Sequence, residues 1–298
     1  MDLFNKKDIK PMLIGIEKEA NNDIDYINEL KLDGIRCIAY LDKNGVDLRN
    51  KRNDKVLFRY PEISKINEQI SCKNVILDGE LVVYKNNKTD FYEMQKRSLM
   101  TNKFKIELEA RSNPISYVAF DILYKDGIQL TDLDLINRKE ILNNSINENE
   151  RVSISRYIEG KGIELYKLAE QNGLEGIVSK KKTSKYYFDK RTKDWIKNKC
   201  YEDQDFVILG YTDDSIMLGQ YNLNNELEYK GKVALGISQE NWSLIKKINK
   251  VDSSMNEIWI EPVLVCTVKY MKNSKGLRQA VFKGLRQDKE AIECRQLV

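Results

Sequence analysis

Apolar and polar positions change their rhythm near residue 200. Within residues 29–41, Ile35, Cys37, Ala39 and Leu41 alternate with Arg36, Ile38 and Tyr40, the period-two pattern of a strand. This segment reads as strand, turn, strand, with Asp33-Gly34 at the reversal and Asn44-Gly45 marking the next one. Residues 75–84 and 116–124 are rich in β-branched and aromatic side chains and predict further strands. Residues 61–69 and 137–142 predict helices, and the polar run 143–150 predicts a surface loop. In residues 162–172, Ile163, Tyr166 and Ala169 recur at helical spacing and Gly173 supplies a C-cap. Short strands at 176–180 and 194–199 follow.

Beyond Cys200 the chain turns to short strands interrupted by Gly and Asn, at 206–211, 216–221, 227–234 and 263–270, with a helix at 241–248. That texture predicts a small β-barrel. We therefore divide the chain into an α+β domain of residues 1–200 with antiparallel sheets and a barrel domain of residues 201–298.

Composition narrows the chemistry. The chain has no histidine, which excludes Ser-His-Asp and Cys-His nucleophile pairs, histidine metal ligation and a histidine base. Catalysis has to run on Lys, Arg, Asp, Glu and bound ions. The five scattered cysteines suggest reduced, packed thiols. No signal-like N-terminus and no apolar run of roughly 20 residues is present, so the expectation is a cytoplasmic protein without membrane contact. A net charge of +4 is compatible with a polyanionic partner without requiring one.

Several segments carry groups suited to phosphate chemistry. In Lys31-Leu32-Asp33-Gly34-Ile35-Arg36, a lysine at a strand end is followed by a turn and an arginine, a setting in which an amine can meet a phosphate. By itself the pattern is also that of an exposed lysine beside a turn. Asp78-Gly79-Glu80 places two carboxylates on one strand face, suited to a hydrated Mg²⁺. Phe120 lies in an apolar strand from which it reaches a base or simply fills a core. Glu175 and Lys180 stand at opposite ends of a short strand. Lys197 and Lys199 share a face, which suggests either an anion between them or an edge strand defended by charge.

In order along the chain, these segments resemble the nucleotidyltransferase motifs of ATP-dependent DNA ligases, in particular the ligase domain of bacterial end-joining ligases. Glu29-Leu30-Lys31-Leu32-Asp33-Gly34-Ile35-Arg36 matches the nucleophile motif. Phe120-Asp121-Ile122-Leu123-Tyr124-Lys125-Asp126-Gly127 with Asn137-Arg138-Lys139-Glu140 matches the central segment, and Arg278 to Lys289 resembles the motif of the family's OB domain. The resemblance implies a nucleotidyltransferase (adenylation) domain followed by an OB-fold barrel, ATP and Mg²⁺ as cofactors with Mn²⁺ as an alternative, and nicked duplex DNA as substrate. Lys31 would carry AMP, pass it to the 5′-phosphate of a nick and leave the 3′-hydroxyl to displace it.

The same resemblance implies roles for the other residues. Glu29 would read the adenine amino group and Phe120 would stack on the ring. Arg36, with Arg49 or Arg52, would hold ribose and the nick phosphate. Glu80 and Glu175 would bind ribose or metal, Lys180 would join the nucleotide site, and Lys197 and Lys199 would grip the α-phosphate. Arg278, Arg286, Asp288 and Lys289 on the barrel would orient pyrophosphate, with a hinge at residues 201–205. Apart from the resemblance, the lysine-rich surface of Lys180 to Lys182, Lys185, Lys190, Arg191 and Lys193 suggests either contacts to the DNA backbone or simply a solvated charged loop. A monomer is implied, and a Ku-type end-binding protein is a candidate partner. Where the family has Ser-Arg-Asn-Gly, this chain has Leu48-Arg49-Asn50-Lys51, and Asp189 and Ala280 replace a usual glycine and proline. The rival readings are an RNA ligase or RNA capping nucleotidyltransferase, and a non-catalytic OB nucleic-acid-binding scaffold.

Overall fold

The computed structural model describes residues 2–254, 256–272 and 276–296. The chain forms two compact units, Met1–Lys199 and Cys200–Val298.

Two sheets build the first unit. A five-stranded sheet runs in the order Leu13–Glu17, Arg191–Lys199, Gly176–Lys181, Tyr26–Leu30, Tyr157–Glu159, antiparallel except for its first pair. The larger sheet runs Gly45–Asn50, Ile35–Asp42, Asn74–Lys85, Ile115–Lys125, Ile128–Gln129, with Lys88–Thr89 and Val152–Ile154 attached to its long strands. Residues 37–41 are buried without a break because both faces of this sheet are covered. Cys37, Ala39 and Leu41 pack with Tyr60, Ile63, Met94 and Leu142. On the opposite face, Ile38, Tyr40 and Leu123 pack with Met12, Tyr186 and Trp195, so the two sheets share an apolar layer.

The expected strand, turn, strand at residues 29–41 is not a hairpin. Tyr26–Leu30 belongs to the smaller sheet and Ile35–Asp42 to the larger, so Lys31 lies in the crossover between them. The reason is packing: a Cβ built on Gly34 would come within 2.1 Å of the Leu81 carbonyl oxygen, so a glycine lets the chain press against the larger sheet. The helix expected at 61–69 is a pair of 3₁₀ turns, Pro61–Ile63 and Ile66–Gln69, whose apolar residues drop into the core without an α-helical ladder. Helices Phe91–Ser98 and Lys103–Ser112, capped by Asp90 and Asn102, were not expected from the pattern. Arg191–Lys199 has a neighbour on each side as far as Lys197, which removes the edge-strand explanation of that lysine.

In the second unit, Leu227–Val233, Ile216–Tyr221 and Tyr201–Tyr211 form a meander, and Val265–Met271 pairs with Tyr201–Tyr211 and with Val281–Arg286. A bridge from Leu235 to Val281 closes the ring, around Phe206, Ile208, Leu218, Val233, Cys266 and Phe282. This is the expected OB-type barrel, and helix Gln239–Lys246 contributes Ile245 to its core. Residues 201–205, the expected hinge, form the start of a long strand, paired from Tyr201 with Met271 to Asp205 with Thr267. No helix among the described residues is long and apolar enough to cross a membrane.

Candidate active site

A cavity of about 190 Å³ opens in the first unit, lined by Ile14, Glu29, Leu30, Lys31, Leu32, Arg36, Glu80, Phe120, Ser155, Val178, Lys180 and Trp195. Both sheets contribute to this wall. The crossover that removes Lys31 from a hairpin also carries it to the cavity, its backbone N–H anchored on the Gly176 carbonyl at 2.9 Å.

Lys31 Nζ donates to Glu175 Oε2 at 2.7 Å; the lysine side chain is 20% exposed and the glutamate only 3%. Glu80 lies opposite Arg36 in the strand register. Burial pushes the Glu80 carboxyl up to about 8, Lys31 and Arg36 oppose the shift, and Asp78 and Glu175 add to it. Asp78 is not available to share a cation with Glu80 as expected. It is fully buried, its two oxygens accept from the Arg36 guanidinium at 2.9 and 2.5 Å, and Oδ2 also accepts from the Tyr186 hydroxyl at 2.6 Å. That clamp leaves the Arg36 guanidinium 5.3 Å from the Phe120 ring centre.

The aromatic part of the cavity comes from Phe120 and Trp195, whose rings meet edge-on at 6.3 Å. Lys180 Nζ stands 4.4 Å from the Phe120 ring centre and 4.5 Å from that of Trp195, and donates to Glu29 Oε2 at 3.0 Å. Burial lowers the Lys180 ammonium to about 8; Glu29 counters the shift and Lys139 adds to it. Lys180 is thus a buried cavity residue and not part of an exposed DNA-facing run with Lys181 and Lys182. The sequence reading missed Trp195, Ser155, Tyr186 and Lys139. Trp195, Ser155 and Tyr186 are singled out only by their positions in the tertiary structure, and Lys139 enters the sequence reading only as a member of the Asn137-Arg138-Lys139-Glu140 match, with no role given.

Not every expected group lines the cavity. Arg49 pairs with Asp47 through Nε and Nη2, at 3.0 and 3.2 Å, and Arg52 is exposed on a turn. Lys197 lies 3.6 Å from Glu17, and Lys199 has its ammonium lowered by burial, then by Lys197, with Glu175 opposing and Lys31 adding. That coupling puts Lys199 electrostatically beside the Lys31–Glu175 pair. In the second unit, Asp205 accepts from Thr267 Oγ1 at 2.6 Å, from Lys289 at 2.9 Å and from Arg286 at 3.1 Å, while Arg286 also pairs with Asp288. Arg278 is partly buried at the turn before Val281–Arg286. Asp189 has φ +54, the left-handed region in which the family's usual glycine is at home.

An amine at the mouth of an aromatic pocket, beside carboxylates and cations but without histidine, is a setting suited to phosphate chemistry on lysine. Comparison with known proteins gives the family. The ATP dependent DNA ligase domain matches residues 11–199, and the ATP dependent DNA ligase C terminal region matches residues 212–289. The chain belongs to the ATP-dependent DNA ligases. It is 30% identical over 272 residues to the SPbeta prophage-derived DNA ligase-like protein LigB of Bacillus subtilis, covering 90% of this chain and 94% of that one. It is 31% identical over 294 residues to the multifunctional non-homologous end joining protein LigD of Pseudomonas aeruginosa, covering 89% of this chain but only 34% of LigD. Among solved structures, mycobacterial DNA ligase D complexed with ATP and MES superposes with a TM-score of 0.59 at 25% identity, covering 99% of this chain and 100% of that chain.

Proposed function

We propose that this ligase seals nicks in duplex DNA through an AMP group carried on Lys31. The observation that supports this most directly is the Lys31 amine, hydrogen-bonded to Glu175 at the edge of the Phe120 and Trp195 pocket. A purine on the Phe120 face would point its triphosphate towards Lys31, Lys197 and Lys199. The amine would attack the α-phosphorus, the bond to the β-phosphate oxygen would break, pyrophosphate would leave, and the amine's proton would pass to a carboxylate or solvent. AMP then moves to the 5′-phosphate of the nick, and the 3′-hydroxyl expels it as the phosphodiester forms. Such chemistry asks mainly for in-line positioning and neutralised phosphate charge, which lysine, arginine and carboxylate side chains supply.

Glu80 and Glu175 fit a divalent metal of the Mg²⁺ type, which prefers oxygen donors and retains waters. Among the described residues no three potential ligand side chains cluster tightly enough to hold a metal alone, so water and substrate phosphate would complete its shell. When bound, the ion would supply charge neutralisation at the phosphates. Glu80, with its carboxyl lifted by burial, becomes a better ligand as that proton is lost.

For the biological setting we favour DNA end joining, the process for which the LigD relative is named, and a Ku-type end-binding protein is the partner to test. Incubation with α-labelled ATP followed by nicked DNA tests the chemical reading. The wild type should take label and seal the nick, and Lys31→Ala should take none. A labelled Lys31→Ala protein would sink the assignment.

A further inference from the structure

Behind the cavity wall lies a buried ion group that nucleotidyl transfer to Lys31 does not by itself call for. Glu29 is 2% exposed, and its Oε2 accepts from Lys180 Nζ at 3.0 Å and from Ser155 Oγ at 2.9 Å. Its Oε1 lies 2.5 Å from Nζ of Lys139, which projects from helix Leu135–Asn143 and is 3% exposed. An ammonium and a carboxylate oxygen this close form a charge-assisted contact, and Lys139 lowers the Glu29 carboxyl both through its charge and through a side-chain hydrogen bond. Glu29, Ser155 and Lys180 line the cavity, whereas Lys139 does not.

Two ammoniums therefore share one carboxylate in a place largely closed to water. A single buried pair would balance its charges, but the second cation leaves an excess positive charge, which low-dielectric surroundings penalise. The group able to relieve that excess is Lys180, because it lines the cavity, where its proton can leave, whereas Lys139 does not; the Phe120 and Trp195 rings against its ammonium favour the charged form and oppose that loss.

We propose that Lys139 is a positioning residue for nucleotide binding, fixing the Glu29 carboxylate from behind and setting how readily Lys180 presents a charged ammonium to the base pocket. The proposal rests on the reading of this cavity as the nucleotide site. The charged groups that act on Lys180 are Glu29 on strand Tyr26–Leu30, Lys139 on helix Leu135–Asn143 and Asp121 on strand Ile115–Lys125. Arg36 lines the same cavity over the same Phe120 ring, with Lys31 and Glu80 further along the wall. Burial, partly offset by Glu29 and reinforced by Lys139, puts the Lys180 titration near pH 8. Glu29 stays ionised throughout, because Lys139 and then Lys180 outweigh the effect of burial on its carboxyl.

The consequence is a nucleotide affinity that falls as pH rises past Lys180's midpoint. Once the ammonium has lost its proton, Glu29 loses one of its partners and the pocket a cation facing a polyanionic ligand. If ATP requires the charged form, its KM should rise about tenfold per pH unit on the alkaline side, the slope of a single proton.

Two readouts on the full chain test this. Carbon-13 NMR of labelled lysine side chains, with the Lys180 signal assigned by Lys180→Arg, gives the midpoint directly. The KM for ATP in self-labelling gives its consequence. In Lys139→Met the midpoint should move up by at least about one pH unit, since an opposing charge is gone. The alkaline limb of KM should follow, with kcat little changed, and Lys139→Arg should restore both towards wild type. A folded Lys139→Met with an unmoved midpoint overturns the proposal; if that variant does not fold, Lys139→Gln takes its place. A wild-type Lys180 titrating in the ordinary lysine range near 10.5 overturns it in any case. The NMR result stands apart from the function assignment: failure of Lys31 to take label would remove the nucleotide reading and leave the Lys139–Lys180 coupling measurable.

Discussion

Lys31 and Glu175, far apart in sequence, meet at 2.7 Å because the crossover holding the lysine is pinned to the first residue of strand Gly176–Lys181. The glutamate is almost wholly buried, so the pair is a charge-assisted bond in a protected setting and not a solvated surface contact. A bond of this kind contributes about 1.5–3 kcal/mol. Glu175→Gln should therefore slow self-labelling by about 10- to 100-fold, a range set by that energy. Single-turnover labelling at saturating ATP measures it, and an unchanged rate would remove Glu175 from the chemistry.

In the proposed sequence the Lys31 amine is the nucleophile of the first step and the leaving group of the second, and has no bond to make or break in the third. Lys31→Ala should lose all ATP-dependent sealing yet still join a nick supplied with its 5′-phosphate already adenylylated. Gel analysis of the two substrates separates the steps. Equal loss on both would mean that Lys31 supports the site rather than carrying the nucleotide.

Tyr186 links the two sheets beneath the cavity. Its hydroxyl donates to Asp78 at 2.6 Å and accepts from the backbone N–H of Met12 at 3.0 Å. Tyr186→Phe strips a buried carboxylate of one donor and orphans a buried N–H, which should cost about 1–3 kcal/mol. Since Asp78 positions Arg36, the KM for ATP should rise as well. Denaturant melts and ATP titrations check the two effects, and a variant as stable as wild type would contradict the bonding described.

The stability of the nucleotide-free protein should fall as pH rises from about 4.5 towards 8. The Glu80 carboxyl is raised in the folded chain, so between the unfolded and folded values the native state holds a proton that the unfolded state has released. Its contribution is complete below the unfolded value and is lost as pH climbs through the folded one. Glu80→Gln should flatten this dependence and raise Tm at pH 8, by roughly 2–4 °C for each kcal/mol relieved. The same variant should lose activity if, as proposed, the Glu80 carboxylate is the group that meets metal or ribose. Calorimetry across this pH range reads the effect, and parallel profiles for the two proteins would refute it.

Binding to nicked duplex should weaken steeply with salt through exposed Lys190, Arg191 and Lys193, each phosphate contact adding about 0.9 to the logarithmic slope. Triple replacement by Ser should lower that slope by roughly 2–3 in a salt titration. An unaltered slope would place the DNA elsewhere.

What the sequence determined by itself was the family, through the order of its motifs, and the division of the chain near Cys200. Absence of histidine, an ordered set of Lys, Arg, Glu and Phe motifs, and the change of texture at Cys200 are local facts, and period-two strands such as Asn74–Lys85 and Ile115–Lys125 follow from local preference. What only the tertiary structure decided was which charges face one another. Asp78 and Glu80 look equivalent along a strand, yet Arg36 and Tyr186 claim the first and leave the second in the cavity wall. Lys180 and Lys181 are neighbours in a basic run, yet one is buried against Phe120 and the other is partly exposed. Lys139 looks like any helix-surface lysine until the helix packs it against Glu29. The physical reason is that burial and Coulomb attraction depend on distances closed by long-range sheet pairing, which no local pattern of hydrophobic and polar residues encodes.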